Sequence, residues 1–511
     1  MTLINKICLA RLSPLLKRIE QSRRDPARFQ RACFDSLIKN GRDTAFGREH
    51  RFRAMRGIAD FQQGVPVRDY DALQPYIDRL RGGEDHVLWN QRVRWFAKSS
   101  GTSSDKSKFI PITPDNLHAC HLGGFKRMLG SFLQRHPDSR ILSGKALTLG
   151  GSVQFDAMNN GKAFHGDLSA ILLAHSPRVA EWVRTPPREV ALTADFHEKI
   201  EQICRICSRL DVTNFSGVPS WNLVLIRRLL EYNNARYLTD VWPNIELFMH
   251  GGIHFDPYRE QYRALIPGER MRYVENYNAS EGYFAFQDDE GDPSMLLTLD
   301  NGVFYEFLPA GDREETTPAG ARAPETIESV TTGQPYALVI STNGGLWRYL
   351  VGDCVEFTSL YPHKIRIVGR TRLYINAFGE ELMIGNAESA LSVACKECRA
   401  SAREYTVAPL YMTLDSKGSH EWLIEFNEPP ADLERFADRL DEALCAVNSD
   451  YEAKRANNST MSRPVIRALP EGTFLRWMEE RKKVGGQHKV PRLSNDRRLA
   501  EEILALLPRP R

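Results

Sequence analysis

The sequence predicts an α/β protein, with a large N-terminal α/β domain that contains a β-rich part and a separate small α+β domain at the C-terminus. Apolar residues recur at helical spacing through residues 1–60. Short apolar runs punctuated by Gly, Asn, Asp and Pro fill residues 271–371. Helical and alternating segments mix again after that, which indicates a domain boundary near residues 372–382.

The first half of the chain is predicted to alternate helices, strands and loops. In residues 1–60 the helices have basic faces, and a Gly ends the block. The other predicted elements are, in order, a strand at Val93–Ala97, a strand and turn at Leu147–Val153, mostly helix over 168–210 with breaks at its prolines, a loop at Thr213–Trp221 that opens a helix reaching Leu230, and a short strand at Glu246–His250.

The second half begins with strands. Those predicted are Met295–Leu299, Val303–Phe307, Tyr336–Ser341, Trp347–Val351, Cys354–Phe357 and Lys364–Val368, with a polar surface loop at Pro309–Pro324. The small domain is predicted to contain a helix at Gly385–Cys398, strands at Thr406–Leu414 and Glu421–Phe426, a helix at Ala431–Asn448 and a basic helical end from Phe474.

Composition excludes several classes of protein. The 511 residues are 42% hydrophobic and 26% charged, which is ordinary for a globular chain with a large core. Lys and Arg number 68 against 65 Asp and Glu, so the net charge of +3 is too small for a nucleic-acid binder that works by charge alone. No uncharged apolar run reaches about 18 residues, so membrane insertion is not expected.

The cysteines indicate the compartment. Nine are scattered along the chain, an odd number that is typical of reduced thiols in a cytoplasmic protein. Two pairs, Cys204/Cys207 and Cys395/Cys398, have the Cys-x-x-Cys spacing inside helical patterns. A zinc site would require both pairs to meet. We interpret them instead as small apolar residues on packed helix faces.

The first candidate functional segment is Lys98–Lys108, which directly follows a predicted strand. A loop of hydroxyls, one Gly and lysines can hold phosphate oxygens with backbone N–H groups and positive charge, although the spacing is not that of a Walker A motif. The alternative is a solvated Ser-rich loop, but the apolar Phe109–Ile112 favours a fixed one. The candidate ligand-binding residues are Ser99, Ser100, Gly101, Thr102, Ser103, Lys106 and Lys108.

The second segment, Tyr273–Gly282, places an aromatic ring, small residues and one carboxylate at a predicted strand end. Tyr277 can stack on a purine, and Glu281 can hold Mg²⁺ through its carboxylate. The alternative is an ordinary strand-to-turn junction. The candidate residues here are Tyr277, Asn278, Ala279, Ser280, Glu281 and Gly282.

Three later segments complete the set. Asp353 follows Gly352 at a predicted strand turn, where a carboxylate can accept hydrogen bonds from two ribose hydroxyls; the alternative is a hairpin-turn Asp. Val368–Leu382 spans the domain boundary; the alternative is a polar linker between the domains. Gly485–Arg492 is predicted to be a functional, Gly-flanked basic loop; the alternative is a solvated basic tail.

In this order the five segments resemble those of the acyl-acid amido synthetases of the auxin-responsive Gretchen Hagen family, within the adenylate-forming superfamily. The resemblance spans about residues 44 to 492. It implies an adenylate-forming fold divided into residues 1–375, which bind ATP and the acyl substrate, and a mobile domain of residues 376–511. By the same resemblance, Glu281 is associated with Mg²⁺ and Asp353 with the ribose.

The resemblance also implies the reaction. A carboxylic acid would attack ATP to give acyl-AMP and pyrophosphate, and an amine, most simply an amino acid, would then take the acyl group. Arg370 would bind ribose or phosphate. Lys489 would reach the reacting phosphate in one domain arrangement only, with rotation at residues 372–382, where Gly379 lies.

Two alternatives remain open from the sequence. An acyl-CoA or carrier-protein thioester ligase shares the first half-reaction and differs only in its acceptor. A non-catalytic ligand-binding relative belongs to another class, and the retained Thr102, Glu281 and Asp353 argue against it. No plant hormone-pocket pattern is visible between Gly150 and Trp221, so hormone substrates are not expected, and the sequence does not indicate the oligomeric state.

Overall fold

A computed structural model gives the architecture of the chain. It describes residues 2–99, 108–151, 153–155, 163–176, 180–193, 195–253, 255–309, 324–370, 374–413, 416–456, 460–481 and 490–507. Helices and strands alternate as the sequence predicts, and the strand-rich region lies in the second half of the large domain. The α/β class is therefore confirmed.

Five helices precede the first strand, and polar side chains begin most of them. Thr2, Asp25, Thr44 and Asp69 each accept a backbone N–H from the first turn of the following helix. These helices are α1 Leu3–Arg24, α2 Pro26–Gly41, α3 Ala45–Glu49, α4 Ile58–Gly64 and α5 Tyr70–Arg81, with a 3₁₀ turn at Phe52–Ala54.

The remaining helices of the large domain connect and cover strands. They are α6 Leu122–Arg135, preceded by a π-helical turn at Asn116–His121, α7 Leu168–Ala174, α8 Ala180–Val183, α9 Arg188–Ala191, α10 Phe196–Cys207, α11 Pro219–Asn233, α12 Leu238–Val241 and α13 Asp256–Leu265. The strands are β1 Trp95–Ser99, β2 Lys108–Ile112, β3 Lys145–Thr148, β4 Val153–Phe155, β5 Phe164–Gly166, β6 Arg184–Thr185, β7 Val212–Gly217, β8 Leu247–His250, β9 Arg272–Ala279, β10 Gly282–Gln287, β11 Met295–Leu297, β12 Val303–Pro309, β13 Pro335–Thr342, β14 Tyr349–Leu360 and β15 His363–Arg370.

Eleven of the described strands form one sheet, in the order β12-β13-β14-β15-β11-β10-β9-β8-β7-β3-β6. The half from β9 to β6 is parallel, and the half from β12 to β10 is antiparallel. The two halves join at the β9–β10 hairpin. Because the carboxyl ends of parallel strands meet at one edge, that hairpin lies at the edge where ligands usually bind to such sheets.

Two sequence predictions about strands were wrong. Thr213–Trp221 is not a loop, because β7 ends at Gly217 and α11 begins at Pro219, the favoured first helical position for proline. Trp347–Val351 and Cys354–Phe357 are not two strands joined by a turn. They belong to the single strand β14, in which Gly352 takes a left-handed φ of +101°.

The N-terminal helices pack their aromatic residues around Trp347, just before β14. Trp347 is fully buried, and its ring lies 4.8 Å from that of Phe52 and 6.1 Å from that of Phe46. Gly41 of α2 permits this contact, since a Cβ there would lie 2.4 Å from the Trp347 ring. The Trp347 indole N–H donates to the Leu88 carbonyl at 3.0 Å. The first 90 residues therefore support the strand that carries Asp353.

The small domain has its own core. Its elements are strands β16 Tyr374–Ile375 and β17 Leu382–Met383, helix α14 Ile384–Glu397, strands β18 Ser401–Leu410 and β19 Ser419–Glu428, helices α15 Leu433–Val447 and α16 Ser449–Arg455, strand β20 Val465–Leu469, and helices α17 Thr473–Glu480 and α18 Arg498–Ala505. Strands β18, β19 and β20 form one sheet. Ile375 and Phe378 are already part of this core.

The two Cys-x-x-Cys pairs lie in different cores. Cys204 and Cys207 are buried in the cluster around α10 and α11, and Cys395 and Cys398 are partly buried in the small domain. This agrees with the interpretation of the cysteines as packed side chains. Among the helices that the structure describes, none has both the length and the apolar character to cross a membrane.

Candidate active site

The first segment lies between two paired strands. Ser99 is the last residue of β1 and faces Lys108, the first residue of β2, in antiparallel register. The predicted contacts of the Ser99 side chain and of Ser100, Gly101, Thr102, Ser103 and Lys106 lie outside the described residues. Lys108 is described, and it is buried with its ammonium group 3.4 Å from the Tyr349 hydroxyl.

The second segment is the β9–β10 hairpin. Ala279 pairs with Gly282, so Ser280 and Glu281 form the turn between the strands. Glu281 is 7% exposed, and its carboxylate accepts a hydrogen bond from the Tyr349 hydroxyl at 3.3 Å. The sequence-based placement of Glu281 at a strand end before a Gly is therefore confirmed.

Tyr349 joins the first two segments. Its fully buried hydroxyl lies between the Lys108 ammonium and the Glu281 carboxylate, and it contacts both. The hydroxyl accepts from the Lys108 ammonium and donates to the Glu281 carboxylate, which links the two segments. The sequence reasoning missed Tyr349. Period-two alternation along β14 could have found it, because residues 349, 351 and 353 share one face.

The third segment places Asp353 beside Tyr277. The Tyr277 hydroxyl donates to Oδ2 of Asp353, and both side chains are buried. The Tyr277 ring packs edge-on against Phe284 at 4.9 Å. Asp353 also faces Arg370 across the β14–β15 pairing, although the Arg370 side chain lies outside the described part of the chain. Since β14 is continuous, the predicted strand turn at Asp353 was wrong, and so was the alternative of a hairpin-turn Asp.

A histidine that the sequence did not indicate contacts the second segment. His121 Nδ1 lies 3.0 Å from the side-chain oxygen of Asn278. Burial lowers the pKa of His121 to about 4, so the ring is neutral near pH 7. Residues 116–121 contain two histidines, His118 and His121, and the sequence gives no signal that one of them will face the strand that begins at Arg272.

The neighbouring strand β9 carries a carboxyl group with an unusual pKa. Burial, together with the negative charge of Asp256, raises the pKa of Glu275 to about 7. Glu275 pairs with His250 at the carboxyl end of β8. A carboxyl group with a strongly shifted pKa therefore lies beside the carboxyl end of β8.

The donor set around Glu281 fits Mg²⁺. No cluster of three His, Cys, Asp or Glu side chains suitable for a metal is found within the described ranges. Mg²⁺ usually takes one or two carboxylates and completes its shell with substrate phosphates and water. A single carboxylate in a turn, with a lysine nearby, matches that requirement.

The last two predicted segments are placed only in part. Lys489 lies outside the described residues, as do residues 371–373. Gly379, predicted to be part of a hinge, has φ +91°, and a Cβ there would lie 3.1 Å from Lys454 of α16. Phe378 packs in the core of the small domain.

Models of one family match nearly the whole chain. The GH3 family N-terminal domain matches residues 15–161 and 152–271, the central domain matches 296–370, and the C-terminal domain matches 385–498. A curated relative, indole-3-acetic acid-amido synthetase GH3.8 of Oryza sativa subsp. indica, is 25% identical, with 85% of this chain and 82% of the relative covered.

Solved structures support the fold. The AtGH3.15 acyl acid amido synthetase in complex with 2,4-DB matches with a TM-score of 0.59 and 18% identity, covering 98% of this chain and 96% of that one. 2-Hydroxyisobutyryl-CoA ligase in complex with 2-HIB-AMP and CoA matches with a TM-score of 0.56 and 14% identity. The match covers 94% of this chain and 91% of that one. The adenylate-forming fold expected from the sequence is thus confirmed.

Proposed function

Because this chain belongs to the GH3 family, we propose that it is an ATP-dependent acyl-acid amido synthetase. An oxygen of a carboxylic acid attacks the α-phosphorus of ATP, and the bond to pyrophosphate breaks. The nitrogen of an amine, most simply an amino acid, then attacks the acyl carbon; AMP leaves and the nitrogen loses its proton to solvent. The names of curated relatives support amide formation.

One observation carries the proposal for this chain. Three segments far apart in sequence, all predicted to bind nucleotide, bring Lys108, Glu281 and Tyr349 into one buried network. Buried charges in proteins are paired or coordinate a metal, and this network supplies both a cation and a carboxylate at the end of the hairpin. Pre-positioned charges of this kind stabilise the charge that develops when pyrophosphate leaves.

The chain's own residues take distinct roles in this proposal. The loop containing Ser99–Ser103, Lys106 and Lys108 binds the phosphates, and Asp353 accepts hydrogen bonds from the ribose while Tyr277 orients its carboxylate. Glu281 holds Mg²⁺, which supplies charge neutralisation at the phosphates when bound. Lys108 and Tyr349 keep the Glu281 carboxylate in place.

The domain division remains a proposal. Residues 376–511 form the small domain, which is supported by the packing of Phe378 into its core. We propose that rotation occurs within residues 372–382, the boundary that the sequence predicts. Arg370 binds ribose or phosphate, and Lys489 contacts a phosphate in one domain position only. Lys489→Ala should therefore reduce one half-reaction much more than the other, whereas a basic tail with no role would change neither.

The experiment is a pair of assays on the full-length protein. ATP–pyrophosphate exchange with a panel of carboxylic acids tests the first half-reaction, and a non-catalytic relative would show no exchange with any acid. Addition of amino acids, other amines or CoA to the active acid then tests the acceptor by mass spectrometry. Amide product supports the proposal. Thioester with CoA and no amide from any amine overturns it.

A further inference from the structure

Helix α1 packs on the large domain through one face only. Its buried side chains Leu12 and Ile19 are seven residues apart, which is two helical turns. At the start of the helix, the Asn5 amide donates to the carbonyls of Pro137 at 2.9 Å and Ser139 at 2.8 Å. These contacts fix the rotation of α1 about its axis, so the opposite face is turned to solvent.

That opposite face begins with three exposed aliphatic side chains. Leu3 is 74% exposed, Ile4 is 42% exposed and Ile7 is 48% exposed. Their spacing of one and three residues places them on the same side of one helical turn. Ala10 and Pro14 are also exposed and continue the same side for two more turns. A contiguous apolar strip of this kind indicates a surface that another molecule covers.

The charge around the strip has one sign. The charged residues between Thr2 and Ile19 are all basic, namely Lys6, Arg11, Lys17 and Arg18. All four are exposed and share the solvent-facing side of α1 with the strip. Arg18 forms an ion pair with Asp300 at 2.7 Å, so only the other three are counted toward binding. The strip therefore fits a partner that is negatively charged and accepts aliphatic side chains.

A second copy of this chain does not fit the strip. In a two-fold symmetric pair the same patch meets itself, so the side chains of Lys6, Arg11 and Lys17 would be brought together around the aliphatic residues. Like charges that face each other across an interface repel. The first acidic residue of the helix is Glu20, four turns beyond Ile7, so α1 offers nothing near the strip that would offset this repulsion.

The shape and composition of the strip favour a lipid surface over a protein. Protein interfaces concentrate their binding energy in Trp, Tyr and Arg side chains that fill pockets. Here the apolar side chains are aliphatic and project from the convex surface of a helix. A helix with aliphatic side chains on its exposed face and lysines at the margin suits the plane of a bilayer surface, because the long basic side chains reach the headgroup phosphates.

We propose that α1 binds the surface of a bilayer that contains anionic lipids. Leu3, Ile4 and Ile7 enter the boundary between headgroups and acyl chains, while Lys6 and Arg11 contact lipid phosphates. The helix lies on the bilayer and does not cross it. This binding is independent of the proposed function, because neither half-reaction requires a membrane.

The test is sedimentation of the full-length protein with vesicles of two compositions. One consists of phosphatidylcholine alone, and the other contains about 40% phosphatidylglycerol. The partition coefficient should be about tenfold or more higher for the anionic vesicles, since each basic side chain near such a surface contributes about fivefold. It should fall as the salt concentration is raised, because the attraction is screened. Equal binding to both vesicles, or binding to neither, overturns the proposal.

Leu3→Ser/Lys6→Gln should lower the partition coefficient on anionic vesicles by about tenfold or more. Val393→Ser/Lys396→Gln is the matched control. It removes one exposed aliphatic side chain and one exposed lysine at the same spacing, on α14, where the acidic Glu397 follows. The control variant should bind the vesicles as the wild type does. An equal loss in both variants overturns the assignment to α1.

A charge-only variant tests the same surface without changing its apolar side chains. Lys6→Gln/Arg11→Gln/Lys17→Gln should lower the partition coefficient on anionic vesicles by about a hundredfold and leave that on neutral vesicles unchanged. An unchanged coefficient on anionic vesicles in this variant overturns the proposal.

Light scattering without vesicles tests the competing occupant. The wild type and Leu3→Ser/Lys6→Gln should have the same mass in solution. An assembly that forms in the wild type and is lost in this variant would identify a second copy as the occupant of the strip and would overturn the proposal.

Discussion

At the scale of single residues, the candidate site depends on one hydroxyl that contacts two opposite charges. The Tyr349 hydroxyl accepts from the Lys108 ammonium and donates to the Glu281 carboxylate. The preceding residue, Arg348, has a left-handed φ of +45°, which is rare for a side chain of this size. Its guanidinium forms a buried ion pair with Glu306 at 2.8 Å, which holds this strained backbone in place.

Glu281→Gln should reduce the rate of ATP–pyrophosphate exchange by about 10²-fold. The amide keeps the shape of the side chain but removes the negative charge that would hold Mg²⁺, so the Mg²⁺ concentration for half-maximal rate should rise. Glu290→Gln is a suitable control, because Glu290 pairs with His136 and lies outside the network. Wild-type rates and Mg²⁺ dependence in Glu281→Gln would contradict the role.

Asp353→Asn should raise the KM for ATP by about thirtyfold, since hydrogen bonds to a charged group contribute about 1.5–3 kcal/mol. The measurement is a comparison of ATP with 2′-deoxy-ATP in both proteins. The deoxy substrate should be penalised in the wild type and much less in the variant. Equal penalties would show that Asp353 does not bind the ribose.

Residue-level prediction from sequence selected Glu281, Asp353 and Lys108 from local patterns. All three side chains are buried in the structure, and Tyr349 contacts two of them, Lys108 and Glu281, whereas their roles toward ATP and Mg²⁺ stay predictions. His121 was not predicted, because its contact with Asn278 depends on the packing of α6 against a strand that follows it by 150 residues. No local pattern in residues 116–121 encodes that contact.

At the scale of elements, the strand β9 combines packing with ionisation. Its residues 272–279 end in the hairpin at Glu281, and Glu275 in its middle has its pKa raised to about 7, mainly by burial. The charged form of this carboxyl group is therefore disfavoured in the folded state relative to the unfolded state.

Stability should depend on the ionisation of Glu275. The pKa of Glu275 in the folded state lies above the unfolded value of 4.5, so the protonated carboxyl group favours folding. Its contribution to the free energy of unfolding is fully present below pH 4.5 and is lost as the pH rises to about 7. Glu275→Gln should thus be more stable than the wild type at pH 8, by about 1–3 kcal/mol, and equal to it at pH 4.

The measurement is denaturant unfolding at the two pH values. Glu428→Gln is the control, because Glu428 is exposed at the end of another strand. This variant should leave the free energy of unfolding unchanged at both pH values. If Glu275→Gln raised the free energy of unfolding equally at both pH values, packing rather than charge would be responsible.

Element boundaries were predictable where alternation was clear, as in β13 and β15, and failed where polar residues are buried. The strand β7 was missed because Thr213 and Asn214 look like loop residues. In the structure their side chains bond to the Ile141 carbonyl, which satisfies them inside the core. Gly352 suggested a turn, but it serves as an irregular residue within β14.

At the scale of the whole molecule, the small domain is docked on helices α11 and α13. The Tyr258 hydroxyl donates to the Ala377 carbonyl at 2.6 Å. Lys454 of the small domain lies over the Trp221 ring, 4.4 Å from its centroid. Met412, in the β18–β19 connection, is buried in the core of the large domain. Rotation of the small domain would break these contacts.

Trp221→Leu should weaken this docked arrangement by about 0.5–2 kcal/mol, the contribution of a cation–π contact. Small-angle scattering should show a larger radius of gyration than in the wild type, and the balance between the two half-reactions should change. Trp182→Leu, at an exposed tryptophan, is the control. An unchanged scattering profile in Trp221→Leu would show that this contact does not hold the domains together.

The burial of Trp347 among N-terminal aromatic rings has a consequence for synthesis on the ribosome. Phe46 and Phe52 emerge about 300 residues before Trp347, which corresponds to roughly 15–60 s of translation. During that time Trp347 has not been synthesised, so the aromatic side chains of α3 and of the 3₁₀ turn at Phe52–Ala54 lack this apolar partner. Fragments that stop before Trp347 should therefore aggregate or be retained by chaperones, even though they contain every residue of α3 and of that turn.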